Sequence, residues 1–113
     1  MRSVEVSIVD IDSAVLRDLF DPCRACVYWE YPEQFSETLP EEHVDLKSEW
    51  FNAMAKASGP CGKLLYLDGQ PAAYCQYAAP QSIPGIGRYE GLAPHVDPEA
   101  AMITCLHVAK GYQ

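Results

Sequence analysis

Residues 62–78 read GKLLYLDGQPAAYCQYA, and this stretch decides the fold of the 113-residue chain. The apolar run from Leu64 to Leu67 is followed by Asp68-Gly69, a dipeptide typical of two-residue hairpin turns. A second apolar run, Ala72 to Ala79, then returns. The pattern predicts two antiparallel strands. Because both runs are apolar on both faces, we expect helices or a partner to cover each face of the hairpin.

A helix is predicted upstream of the hairpin. Thr38-Leu39-Pro40-Glu41 fits a capping box, with proline in the first turn, where a missing N–H is tolerated. Gly59-Pro60 ends the helix. Its inward face is predicted from apolar residues at helical spacing, namely Leu46, Trp50, Ala53, Met54 and Ala57.

The N-terminal segment predicts a strand and a short helix. Val4, Val6 and Ile8 alternate with polar residues, as in a half-buried strand. The apolar residues between Ala14 and Phe20 predict a short helix, which Asp21-Pro22 closes because a residue before proline is disfavoured in helical geometry.

The C-terminal third predicts a long loop and a last strand. Residues 80–98 are rich in Pro and Gly and predict a loop, within which Gly85-Ile86-Gly87 is interpreted as a flexible turn. Ala100 to Ala109 predicts the last strand. Residues 1–113 therefore predict one α+β domain, with a mostly antiparallel sheet of about four strands and two or three helices.

The charge balance narrows the classes of partner. Eight basic and sixteen acidic residues give a net charge of -8. This argues against a nucleic-acid or anionic-membrane surface, which needs clustered Lys and Arg, and it favours cationic ligands such as amines. No apolar run reaches the roughly 18 residues of a membrane span, and the alternating N-terminus is unlike a signal peptide. We therefore expect a cytoplasmic protein.

The five cysteines form an odd set, which is unlike a disulfide framework, and we expect reduced thiols. The Cys23-x-x-Cys26 spacing suggests two hypotheses, a zinc site and a redox-active pair. Zinc needs about four ligands, and no second C-x-x-C pair is present. A buried or incidental pair is the alternative, and no metal is expected.

Two stretches resemble the GNAT family of N-acetyltransferases. Residues 62–78 are similar to the central hairpin of that family, and residues 103–113, ITCLHVAKGYQ, resemble its fourth strand and the tail leading into the acetyl-CoA loop. The family's Gly-rich motif, Q/R-x-x-G-x-G/A, does not follow within the 113 residues. The chain thus looks like the N-terminal half of such a domain. The resemblance implies acetyl transfer from acetyl-CoA to a primary amine on a small molecule or peptide.

The resemblance also implies a cofactor-binding strand. The backbone of Leu106, His107 and Val108 would bind the pantetheine arm of acetyl-CoA, and Gln113 would lead into the phosphate-binding loop. The Val108 N–H would stabilise the oxyanion of the tetrahedral intermediate. His107 is alternatively a hydrogen-bonded strand histidine, whereas His43 and His95 lie in polar surroundings and are expected to be solvated.

Amine acetylation needs a general base, and carboxylates near aromatic residues are the candidates. Glu30, Glu33 and Glu90 fit this description, and surface carboxylates are the alternative for each. Tyr28, Trp29 and Tyr77 are candidates for the acceptor pocket, since aromatic faces attract cations. Core packing is the alternative role for these aromatic residues.

Two functional hypotheses follow. The first is an acetyltransferase-family domain that is inactive without the missing C-terminal half. The second is a non-catalytic module that forms a homodimer or binds a partner, because an apolar last strand leaves an open edge that favours association.

Overall fold

A computed structural model of the chain describes residues 3–21, 23–31, 33, 40–88 and 99–113. Its four strands are β1 (Val6–Asp10), β2 (Gly62–Leu67), β3 (Gln70–Ala78) and β4 (Met102–Val108). They form one sheet in the order β1-β2-β3-β4, and each neighbouring pair is antiparallel. The predicted α+β class and the antiparallel sheet of four strands agree with this architecture.

The hairpin between β2 and β3 turns at Asp68 and Gly69, as predicted. Both residues have positive φ, 51° and 80° respectively. A two-residue turn with positive φ at both central positions matches the twist of the flanking strands, which is why the Asp-Gly dipeptide suits it. The register shifts between Leu65 and Tyr66, whose partners are Ala73 and Pro71, so Ala72 is the extra residue of a β-bulge.

One α-helix has described bounds, α1 (Pro40–Ala57), which is fewer than the two or three helices expected. It begins at the predicted proline and ends before Gly59, whose N–H donates to the Met54 carbonyl. Thr38 and Leu39 of the predicted capping box lie outside the described residues.

The inward face of α1 differs from the predicted stripe. Ala53 and Ala57 are exposed, whereas Lys47 and Phe51 are buried. Trp50 is buried as predicted. The helix is rotated toward the large Phe51 ring, since a bulky aromatic side chain gains more from burial than two alanines.

The predicted helix between Ala14 and Phe20 is a four-residue 3₁₀ helix, Val15–Asp18. Its N-terminus is held by Asp12, whose side chain accepts the Val15 N–H at 2.8 Å. Leu19 is already extended, at φ -67° and ψ 130°. The short turn suffices to bury Leu16 and Leu19, so the apolar spacing did not require a longer helix.

The sheet has an inner face, which carries the core, and an outer face, which is uncovered within the described part of the chain. The exposed outer-face residues include Val6, Ile8, Ile103, Leu106 and Val108. The prediction that Val4, Val6 and Ile8 form the buried side of a half-buried strand is therefore wrong. The described residues do not cover the outer face, and cover of that face by a partner stays a prediction. The core residues of the inner face and its surroundings include Ile11, Leu16, Leu19, Trp50, Phe51, Leu64, Tyr74 and Ile83.

The described part of the predicted 80–98 loop forms two short 3₁₀ helices, Pro80–Ser82 and Pro84–Arg88. Gly85 is buried, and its N–H donates to the Trp29 carbonyl at 2.7 Å. A Cβ atom at Gly85 would lie 2.7 Å from the Trp29 Cα. The flexible turn predicted here is thus a close backbone contact, which only glycine permits. Residues 89–98 lie outside the described part.

Candidate functional site

A buried lysine on α1 is the centre of a polar network beneath the sheet. The Lys47 Nζ atom donates to the Cys26 carbonyl at 2.8 Å, to Glu30 Oε1 at 3.1 Å and to Gln76 Oε1 at 2.7 Å. These three acceptors match the three N–H groups of an ammonium. Lys47 is 0% exposed, so pairing with Glu30 and full hydrogen bonding offset the loss of water.

Gln76 connects the ion pair to the core of the sheet. Its side-chain amide N–H donates to Glu30 Oε1, and its Oε1 accepts the hydroxyl of Tyr74. Glu30 Oε1 therefore has two donors, whereas Glu30 Oε2 is buried without a hydrogen-bond partner. One oxygen of this buried carboxylate therefore retains acceptor capacity that no described residue uses.

Burial controls the ionisation of the groups around this network. It raises the pKa of Cys105 to about 11, although the positive charge of Lys47 acts in the opposite direction. Burial likewise raises the pKa of Cys23 and, more strongly, that of Tyr74. These groups therefore stay protonated at neutral pH, and the thiols are poor nucleophiles. All five cysteines are free, including Cys26.

The backbone of β4 presents hydrogen-bonding groups at an edge of the sheet. The Ala109 N–H donates to the Ala72 carbonyl of β3 at 2.8 Å. Successive peptide groups along a strand point to opposite sides, so the N–H groups of Val108 and Leu106 point away from β3, toward the edge. The Val108 carbonyl also faces this edge and accepts a hydrogen bond from Gln113 Nε2 at 3.0 Å.

β4 is interrupted by a bulge. Ile103 pairs with Tyr77, and Cys105 pairs with Gln76, which leaves Thr104 without a partner in the ladder. The Thr104 hydroxyl instead lies 3.4 Å from the Gln76 carbonyl. An extra residue bends its strand and increases the local twist. The bulge is therefore close to the strand segment whose Leu106 and Val108 peptide groups point toward the edge.

The structure separates the predicted aromatic residues. Tyr28 and Trp29 form an edge-to-face pair with ring centroids 5.4 Å apart, and Trp29 packs against the core cluster. Tyr77 pairs with Ile103 in the register, which places both on the outer face of the sheet. Tyr77 thus lies on the opposite face from the buried Gln76. His107 is half-buried, with its ring 5.6 Å from that of Phe20.

The predicted acid–base candidates also differ in their surroundings. Glu30 is 2% exposed and belongs to the network, whereas Glu33 is exposed and Glu90 lies outside the described residues. His43 is buried, so the prediction that it is solvated is wrong; it lies one turn before Lys47 on the buried face of α1. His95 lies outside the described residues.

Lys47, Gln76 and Tyr74 were not predicted from the sequence as members of one site. A signal for Lys47 was available, because it shares a helical face with Trp50 and Phe51, where a charged residue needs a buried partner. A signal for Gln76 was also available, because Tyr74, Gln76 and Ala78 occupy alternating positions of β3 and therefore lie on one face of the sheet.

Comparisons with protein-family models, with curated proteins and with solved structures found no match for this chain. Among residues 3–21, 23–31, 33, 40–88 and 99–113, no helix has the length and apolar character needed to cross a membrane. The same residues contain no group of three or more His, Cys, Asp or Glu side chains suited to hold a metal ion.

Proposed function

We propose that the chain is an acetyltransferase-family domain of the GNAT type, which uses the edge of β4 to bind the pantetheine arm of acetyl-CoA and transfers acetyl to a primary amine. The observation that carries this proposal is the outward direction of the Leu106 and Val108 peptide groups next to the bulge at Thr104. A pantetheine arm contains two amides, and a free strand edge pairs with amides as it would with another strand.

In this proposal, Val108 is the oxyanion donor. Its N–H points to the edge, so it is available to a carbonyl oxygen that becomes negatively charged. The peptide group of His107 faces β3 by the same alternation, so Leu106 and Val108 provide the pantetheine contacts. The Gln113 side-chain amide donates a hydrogen bond to the Val108 carbonyl, and the ligand would displace this side chain.

Glu30 has a positioning role in the same proposal. Its Oε1 is held by Lys47 and Gln76, and the side chain is nearly inaccessible to solvent. The ion pair fixes the segment that carries Tyr28 and Trp29 against α1 and β3, and these two rings are the proposed acceptor contacts. Tyr77, on the outer face, is not part of this acceptor site.

The test is an NMR titration of the ¹⁵N-labelled chain with S-acetylpantetheine, which avoids any need for a phosphate-binding loop. We expect saturable shifts of the Leu106 and Val108 amides. Val108→Pro removes the edge N–H without breaking a hydrogen bond between β3 and β4, so the variant should fold. Its affinity for S-acetylpantetheine, measured from the Leu106 amide shift, should fall by about fivefold. Val108→Ala keeps the N–H and is the matched control. Equal affinities of the two variants would contradict the proposal.

Catalysis is tested separately by release of coenzyme A from acetyl-CoA in the presence of a primary amine. The 113 residues do not include the Gly-rich motif that the resemblance associates with phosphate binding, so we expect no turnover from them alone. Turnover that depends on this chain would show that the phosphates are bound elsewhere.

A second candidate function is a homodimerising or partner-binding module. The uncovered outer face favours it, since Ile8, Ile103 and Leu106 are each more than half exposed, at 61%, 65% and 78%. Contiguous exposed apolar surface marks interaction sites in soluble proteins. Sedimentation of the chain and of Leu106→Lys tests this function. A concentration-dependent dimer that the substitution dissociates supports it, whereas a monomer at all concentrations counts against it.

A further inference from the structure

A cleft of about 260 Å³ lies between the 3₁₀ helix Val15–Asp18 and α1. Its walls include none of the side chains of the Lys47 network. One wall carries two arginines, and the wall formed by α1 carries a carboxylate. The polar residues of the cleft are Ser13, Arg17, Arg24, Asp45 and Ser48, and Leu16 and Val44 supply its apolar surface.

The two arginines of the cleft have no carboxylate partner among the described residues. Arg24 Nη1 donates only to the Arg17 carbonyl, at 3.4 Å, and Arg24 Nε is buried without any acceptor. By contrast, Lys47 and Lys63 each form an ion pair, with Glu30 and Asp10. The Nε atom is itself inaccessible, so an oxyanion in the cleft would contact the exposed Arg24 Nη1 end of the guanidinium and the exposed Arg17 side chain.

Arginine is suited to oxyanions because its planar guanidinium offers parallel N–H groups that match a carboxylate or a phosphate. The hydrogen bond from Arg24 to the Arg17 carbonyl holds the Arg24 guanidinium beside the Arg17 backbone, and both residues line the cleft. Neither guanidinium group pairs with a carboxylate of the described residues, so both can offer positive charge to a ligand in the cleft.

Asp45 restricts the kind of anion that fits. Its carboxylate lines the same cleft, so a ligand with two or more negative charges is repelled from the α1 wall. An ammonium group would be attracted there, and the Ser13 and Ser48 hydroxyls can donate or accept further hydrogen bonds. The volume lies just below the roughly 300–1,000 Å³ of sites for drug-sized ligands, which favours a smaller molecule.

We propose that this cleft binds a small amino carboxylate, with its carboxylate on Arg24 and Arg17 and its ammonium group toward Asp45. The chemical class is that of a free amino acid or a similar zwitterion. The proposal is independent of acetyl transfer, because it concerns binding in a cleft that does not include β4.

The test is an NMR titration of the full chain with L-alanine, with acetate and inorganic phosphate as comparison probes. We expect L-alanine to shift the amides near Arg17, Arg24 and Asp45 in a saturable manner, with a Kd in the range of about 1–10 mM. Acetate, which lacks the ammonium group, should bind about tenfold more weakly. Phosphate should bind more weakly than L-alanine.

Substitutions then assign the contacts. Arg24→Gln should weaken L-alanine binding about tenfold, and Asp45→Asn should remove the preference for L-alanine over acetate. Lys56→Gln also removes one positive charge, but at an exposed position of α1 outside the cleft, and it should not change the affinity for L-alanine. If Arg24→Gln does not fold, Arg17→Gln replaces it, since the Arg17 side chain is exposed. The proposal is overturned by absence of saturable shifts, by phosphate binding more tightly than L-alanine, or by unchanged affinity in the folded arginine variant.

Discussion

Lys47 Nζ lies 3.1 Å from Glu30 Oε1, and their side chains are 0% and 1% exposed, so the fold contains a fully buried ion pair. The pair joins α1 to the segment before it, and Gln76 extends it to β3. Burying an ion pair has a large desolvation cost, and each charge offsets that cost only while its partner is present.

Removing one partner of the ion pair should be strongly destabilising. Lys47→Met keeps the apolar stem but leaves the Glu30 carboxylate buried without its cation, and we expect the free energy of unfolding to fall by about 3–5 kcal/mol. Urea denaturation measures the change. The double variant Lys47→Met, Glu30→Gln should lose less than the sum of the single losses, because no uncompensated charge remains. Additive losses would mean that the two side chains are not coupled.

Gly85→Ala should destabilise the protein by steric overlap. The new Cβ would lie 2.7 Å from the Trp29 Cα and 2.8 Å from the Tyr28 carbonyl oxygen, and backbone atoms cannot move as a flexible side chain would. We expect a loss of about 1–3 kcal/mol in thermal or urea unfolding. Gln81→Ala, at an exposed position of the same segment, is the control and should change stability little. An unchanged stability of Gly85→Ala would contradict the prediction, because it would mean that the Trp29 backbone moves to admit the methyl group at little cost.

Stability should fall at alkaline pH because of Cys105. Burial raises the folded-state pKa of this thiol to about 11 from the ordinary value of 9.0. The unfolded chain therefore loses the proton first as the pH rises. The stabilisation is fully present below pH 9 and is lost as the pH rises through about 11, a change of about 2–3 kcal/mol.

The measurement for this thiol is the pH dependence of urea unfolding, compared between the natural chain and Cys105→Ala. The variant should show a shallower fall between pH 9 and 11, whatever its absolute stability. Parallel curves would contradict the role of Cys105. Alkylation followed by mass spectrometry gives an independent reading, since roughly 1% of a thiol with this pKa is thiolate two pH units below it.

Two leucines on opposite faces of the sheet should respond differently to the same substitution. Leu64 is 0% exposed on the inner face, whereas Leu106 is 78% exposed on the outer face. We expect Leu64→Ala to lower the free energy of unfolding by about 2–5 kcal/mol and Leu106→Ala to change it by about 0.5 kcal/mol or less. Thermal unfolding at low protein concentration measures both. A large loss for Leu106→Ala would indicate that the outer face is covered in solution.

The local elements of this protein were determined by its sequence. Asp68-Gly69 specifies the hairpin because its two residues tolerate positive φ, and Gly59-Pro60 ends α1 because neither continues a helix. Apolar alternation and turn signals act over a few residues, so they predict strands and a helix without knowledge of their partners.

Tertiary structure decided which side of each element became buried. Lys47 is inward only because the Cys26 carbonyl, Glu30 and Gln76, which lie 21, 17 and 29 residues away, meet its ammonium group. Likewise Val6 and Ile8 are exposed because β1 pairs with β2 in a register that points them to the uncovered face. Such long-range partners leave no local periodic signal. The sequence therefore determines the strands and α1, and only the tertiary structure determines the buried ion pair, the exposed edge of β4 and the cleft lined by Arg17 and Arg24.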